Sequence, residues 1–112
     1  MSQRYCLALD LKEDPELIRQ YEEWHRAVWP EILNSIRVSG ITDMEIYRVH
    51  NRMFMIMETD DRFSFAAKSE ADAADPKVQE WENLMWTFQQ ALPFAKPGEK
   101  WMLMHKVFSL NQ

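Results

Sequence analysis

Twice in this chain an aspartate is followed by a proline and then by apolar residues at helical spacing: Asp14-Pro15 and Asp75-Pro76. An N-cap aspartate accepts bonds from the first free amides, and a proline at the first helical position has no amide to leave unpaired, so each pair predicts a helix start. Segments of period two flank these starts. Arg4 to Leu11 sets Tyr5, Leu7, Leu9 and Leu11 against Cys6, Ala8 and Asp10, and Trp101 to Phe108 alternates again. Asp43 to Glu58 reads as two strands around a His50-Asn51 turn. Met44, Ile46 and Arg48 then share a face with Met53, Met55 and Met57, and Glu45, Tyr47 and Val49 share the other with Phe54 and Ile56.

The order is β-α-β-β-α-β, which predicts an α+β, ferredoxin-like fold: an antiparallel sheet with helices on one face. The first helix is expected to run from Pro15 to about Val28, because Pro30 disfavours helical geometry at Trp29. Pro30 to Val38 restarts as a short helix that Ser39-Gly40 ends. Asp60 to Ala74 reads as a short helix and a polar, alanine-rich connection. The last helix carries Val78, Trp81, Met85, Phe88 and Leu92 at three- and four-residue steps, and Pro93 to Glu99 is a loop.

At 112 residues and 46% hydrophobic, the chain is expected to form one domain, residues 1–112, with a modest core. Five Trp, eight Met and six Phe are more than so small a core easily hides, so some must line a pocket or pack against a second copy. The sheet face without helices is expected to be rich in methionine and aromatics. A homodimer that closes two such faces into a dimeric α+β barrel is the economical solution.

Thirteen basic residues against 18 acidic ones give a net charge of -5, with no basic run, which argues against nucleic acid as a partner. The apolar stretch near the N-terminus is too short for a signal peptide or a membrane span, and the single cysteine, Cys6, permits no internal disulfide. A cytoplasmic protein with no membrane partner is expected. His25, His50, His105 and Cys6 lack metal-ligand spacing, and with only Gly40 and Gly98 there is no glycine-rich phosphate loop.

The chemistry concentrates in Tyr21 to Glu31, YEEWHRAVWPE. At about 100° per residue, Leu17, Tyr21, Trp24, His25, Val28 and Trp29 fall within an arc of roughly 140°, so His25 points inward. An inward histidine one turn after a tyrosine is a candidate acid/base pair; the plainer reading is a hydrogen-bonded core histidine.

Tyr21-x-x-x-His25-x-x-x-Trp29-Pro30-Glu31, the Ile46-Tyr47 strand and Gln79-x-Trp81 on the late helix, in that order and spacing, resemble the L-rhamnose mutarotases over essentially the whole chain. The resemblance implies an isomerase that interconverts the α and β pyranose forms of a 6-deoxy-L-sugar, L-rhamnose or L-fucose, without metal, nucleotide or redox cofactor. By that resemblance His25 is the acid/base group, Tyr21 contacts the sugar and Trp81 is the late-helix tryptophan. Trp81 and Trp29 would offer flat surface to the sugar, and Glu82 and Arg48 would bond hydroxyls, against the plainer reading of Trp81 as core and of the two charged residues as solvated surface.

The chain departs from the rhamnose pattern at two places. The rhamnose enzymes carry a tryptophan pair where this chain has Trp81-Glu82, and a second-strand tyrosine where it has Met44, a wall residue on either reading. Losing an aromatic wall and gaining a carboxylate favours a different hydroxyl pattern, that of L-fucose. Two other classes share the composition: a small α+β-barrel monooxygenase or haem-degrading enzyme, and a non-catalytic sugar-binding module.

Overall fold

The computed structural model describes residues 2–111. The chain runs β1 (Gln3–Leu11), α1 (Pro15–Trp24), α2 (Pro30–Val38), β2 (Ile41–Val49), β3 (Arg52–Thr59), α3 (Phe65–Ala74), α4 (Pro76–Trp86), β4 (Gln89–Gln90) and β5 (Met102–Leu103). The antiparallel sheet has the order β2-β3-β1-β4, with β5 also on β1, which is the ferredoxin-like topology. No helix among the described residues is long and apolar enough to cross a membrane.

Both Asp-Pro pairs start helices. Asp14 Oδ1 accepts from the amides of Glu16 and Leu17 at 2.9 and 3.3 Å, and Asp75 Oδ1 does the same for Lys77 and Val78 at 3.0 and 3.4 Å. The helix ends differ from expectation. α1 stops at Trp24 rather than near Val28: His25 is its C-cap, and the chain tightens beyond it into three-residue turns, with the Arg26 amide donating to Glu23 O at 3.1 Å and the Ala27 amide to Trp24 O at 3.4 Å. Trp29, which precedes Pro30, has ψ 137°, outside the helical region. The short helix expected within 60–74 is α3, which takes in the alanine-rich stretch expected to be a connection and meets α4 at Asp75.

α4 ends at Trp86, so Phe88 and Leu92 lie beyond it yet remain buried. Tertiary bonds take the carbonyls that follow: Lys12 donates its amide to Phe88 O at 2.9 Å and its Nζ to Thr87 O at 3.0 Å. The fourth strand is correspondingly reduced. Instead of Trp101 to Phe108, only Met102–Leu103 pairs as strand, with Met104 N donating to Cys6 O at 2.7 Å, and β4 occupies the other end of the same edge.

The β2–β3 hairpin has the expected register, Met44 opposite Met57, Ile46 opposite Met55, Arg48 opposite Met53, with His50 at φ 51° in the two-residue turn. Asn51 joins the turn to the end of β1, its Nδ2 donating to Leu11 O at 3.0 Å and its carbonyl accepting from Leu11 N at 2.6 Å. At the other end of β2, Gly40 has φ 102°, and its carbonyl accepts from the Asp60 amide at 2.8 Å. A Cβ there would come within 2.5 Å of Asp60 Oδ1, so only glycine fits.

The β3 methionines are not on the open face. Met53, Met55 and Met57 pair with Leu9, Leu7 and Tyr5 and so point to the helices, where Leu9, Leu11, Tyr21, Met53, Trp81 and Met85 form the core. Each fully buried Leu or Met there contributes about 1.5–3 kcal/mol. The uncovered face instead carries Cys6, Ala8, Phe54 and Ile56, flanked by the exposed Tyr47 and Val49.

Candidate active site

Because α1 ends at Trp24, His25 is its C-cap, and the ring turns back along the helix. Nδ1 lies 2.8 Å from the Tyr21 carbonyl oxygen. A carbonyl only accepts, so Nδ1 carries the proton and the neutral ring keeps its lone pair on Nε2. Burial pushes the His25 pKa below its usual 6.5, and the bond to the Tyr21 carbonyl pushes back more weakly. At neutral pH His25 is therefore an uncharged base.

Tyr21, one turn earlier, is 4% exposed and lies against the histidine, ring centroids 4.4 Å apart. Burial raises its hydroxyl pKa to about 12, with a bond from Gln89 acting the other way. Gln89 Nε2 donates to the Tyr21 oxygen at 3.3 Å. The hydroxyl stays protonated and is a donor.

Both side chains line a cavity of about 980 Å³ between the helices and the sheet. Met44, Trp81 and Glu82 line the same cavity, so all five residues named from the sequence meet around one space. Trp81 answers to both readings: it is 8% exposed within the core and also forms cavity wall, with its ring edge-on to His25 at 5.7 Å and to Trp29 at 5.0 Å. Glu82 is half-buried, 3.4 Å from Gln79 Nε2. Met44 is half-buried on the sheet side.

Other residues fall differently. Trp29 packs on the core under Lys77, whose Nζ lies 5.0 Å from its ring, and is not among the cavity-lining residues. Arg48 reaches the cavity but is held by Glu22, Nε to Oε2 2.8 Å, and by the His50 carbonyl. His50 is an exposed turn residue near Glu13, and His105 is exposed. Among the described residues no three His, Cys, Asp or Glu side chains gather as metal ligands.

Sequence reasoning missed Gln89, Lys100 and Trp101, which complete the wall, and a half-buried ion pair, Lys68 Nζ to Asp72 Oδ1 at 2.7 Å, which lines another part of it. Trp101 had a signal, an aromatic opening an alternating segment. Gln89 had none, since its burial depends on α4 ending before it.

An uncharged base beside a protonated hydroxyl, walled by an indole, suits proton traffic at a polyhydroxylated ring. Comparisons with known proteins agree. The L-rhamnose mutarotase family model matches residues 4–110. The chain is 47% identical to the L-fucose mutarotase of Xanthomonas campestris pv. campestris, over 98% of this chain and 90% of that protein. It is 29% identical to the L-rhamnose mutarotase of Phocaeicola vulgatus, over 74% of this chain and 78% of that one. The crystal structure of an L-rhamnose mutarotase from Formosa agariphila has the same fold, with TM-score 0.70 at 20% identity, covering 96% of this chain and 98% of that chain. With its fold, its His25 cavity and a family match along almost its whole length, the chain belongs to the L-rhamnose mutarotase family and is a sugar mutarotase, an isomerase of the aldose epimerase type.

Proposed function

We propose that this mutarotase interconverts the α and β pyranose forms of L-fucose, with His25 as acid/base and Tyr21 as the donor to the ring oxygen. The observation that carries the assignment of roles is the bond between His25 Nδ1 and the Tyr21 carbonyl, which leaves Nε2 as the free base next to a hydroxyl that stays protonated. Nε2 takes the proton of the anomeric hydroxyl while the Tyr21 hydroxyl gives its proton to the ring oxygen. The bond from the anomeric carbon to that oxygen breaks, yielding the open-chain aldehyde. After rotation the ring closes on the other carbonyl face, the imidazolium returns its proton and tyrosine recovers its own.

Met44 and Glu82 support L-fucose over L-rhamnose. The two sugars differ in configuration at C2 and C4, so a carboxylate in the wall distinguishes them by which hydroxyl it meets. The identity to an L-fucose mutarotase leans the same way. Saturation-transfer NMR on each sugar is expected to reveal faster anomer exchange for L-fucose, unchanged by EDTA. Exchange no faster than in buffer for both sugars, or activity that EDTA abolishes and zinc restores, overturns this reading.

The protein is further proposed to be a cytoplasmic homodimer joined through the open face. Phe54, Ile56 and Met102, which pairs with Ala8, lie on that face, and together with the exposed Val107, Phe108 and Leu110 of the chain's last segment they supply apolar surface that one copy leaves in water. A solution mass of two chains is expected from light scattering, and a single-chain mass at micromolar concentration refutes the dimer.

A further inference from the structure

Gln89 is a carboxamide in an apolar setting. Its backbone pairs with Leu11 at the end of β1, and residues paired across antiparallel strands point the same way, so the side chain enters the helix-covered face with Leu11. It is 6% exposed and lines the cavity. An amide costs more to bury here than methionine or leucine of similar size, so packing gives no reason for it. Its bond to the Tyr21 hydroxyl does: an amide nitrogen has only donors, so the phenolic oxygen accepts and its own proton must go elsewhere.

We propose that Gln89 is a positioning residue for mutarotation, holding the Tyr21 hydroxyl so that its proton is turned into the cavity toward the sugar's ring oxygen. This inference rests on the reading of Tyr21 as the ring-oxygen donor. Gln89 acts through Tyr21 and moves no proton itself. Without it the hydroxyl rotates freely, and only part of its population is aligned to donate.

The test is a double-mutant cycle on L-fucose exchange with Gln89→Met, Tyr21→Phe and the pair, with Gln89→Leu as a second apolar replacement in case the first perturbs folding. Each variant is read for kcat, KM and thermal midpoint. Gln89→Met is expected to lower kcat about tenfold with KM little changed and the melting temperature kept or raised, and to have almost no further effect once Tyr21 is phenylalanine. A residue that only supports the fold would instead lower the melting temperature and act equally in both backgrounds. Wild-type kcat in both apolar variants while Tyr21→Phe is impaired overturns the inference alone. A faster Gln89→Met enzyme also overturns it, since the amide would then have been holding the proton back. An unimpaired Tyr21→Phe enzyme removes the role of Tyr21 and this inference with it, and a wild type without exchange removes the proposed function as a whole.

Discussion

His25→Ala is expected to exchange anomers about 10²- to 10⁴-fold more slowly than the wild type, the contribution of one positioned general acid/base. Losing the Nδ1 bond and the ring contacts with Tyr21 and Trp81 also costs stability, about 1–3 kcal/mol. A domain of ordinary stability remains almost wholly folded at 25 °C after such a loss, so a rate deficit of this size cannot come from unfolding. Thermal melts recorded beside exchange rates separate the two effects. A variant within about threefold of wild type, scaled to folded protein, would mark His25 as a core residue and end its catalytic assignment.

In the proposed mechanism the same histidine sets the pH response. Its pKa lies below 6.5 because burial disfavours the charged ring, and the proposed reaction uses the neutral form. The rate is expected to be level through neutral pH and to decline only below pH 6.5. Stability follows the same direction, since the unfolded chain takes up a proton near 6.5 that the folded protein accepts only at lower pH; the contribution is complete above 6.5 and is lost as pH falls through the folded value.

Glu82→Trp combined with Met44→Tyr is expected to move sugar preference from L-fucose toward L-rhamnose. Glu82 is half-buried in the cavity wall next to the buried Trp81, and Met44 lines the cavity from the sheet. A carboxylate bonded to a well-placed hydroxyl gains, and one left facing an apolar edge loses, a difference of about 1–3 kcal/mol, or roughly 5- to 150-fold in relative kcat/KM. The ratio of kcat/KM for the two sugars is the quantity to follow. If the wild type exchanges only L-rhamnose and the double mutant keeps that ratio, these two positions do not face the sugar.

The inward arc of α1 was legible because helical periodicity needs only the spacing of Leu17, Tyr21, Trp24 and His25, and the hairpin was legible because a two-residue turn leaves one register, which sets Met44, Ile46 and Arg48 beside Met57, Met55 and Met53. Period alone failed past Trp86. Phe88 and Leu92 continue the helical spacing of Val78, Trp81 and Met85, yet Lys12 takes the carbonyls there, and residues leaving a helix toward a core stay apolar whatever their backbone does. Gln89 was hidden for the same reason: a glutamine at the border of an apolar stripe looks like solvent, and only the distant pairing with Leu11 turns it inward. The methionine face was misread as open because alternation says which residues share a side, not which side the helices cover.

The fourth-strand position is filled by two short pieces, β4 and β5, and residues 91–101 between them supply Lys100 and Trp101 to the cavity. The pairs made by Leu11 with Gln89 and by Ala8 with Met102 anchor each piece separately, so a residue added to or lost from the exposed stretch 96–99 displaces neither. Part of the pocket wall is thereby insulated from the sheet's register, and lineages that share this scaffold are free to vary its length and chemistry, changing what the pocket admits without having to rediscover the fold.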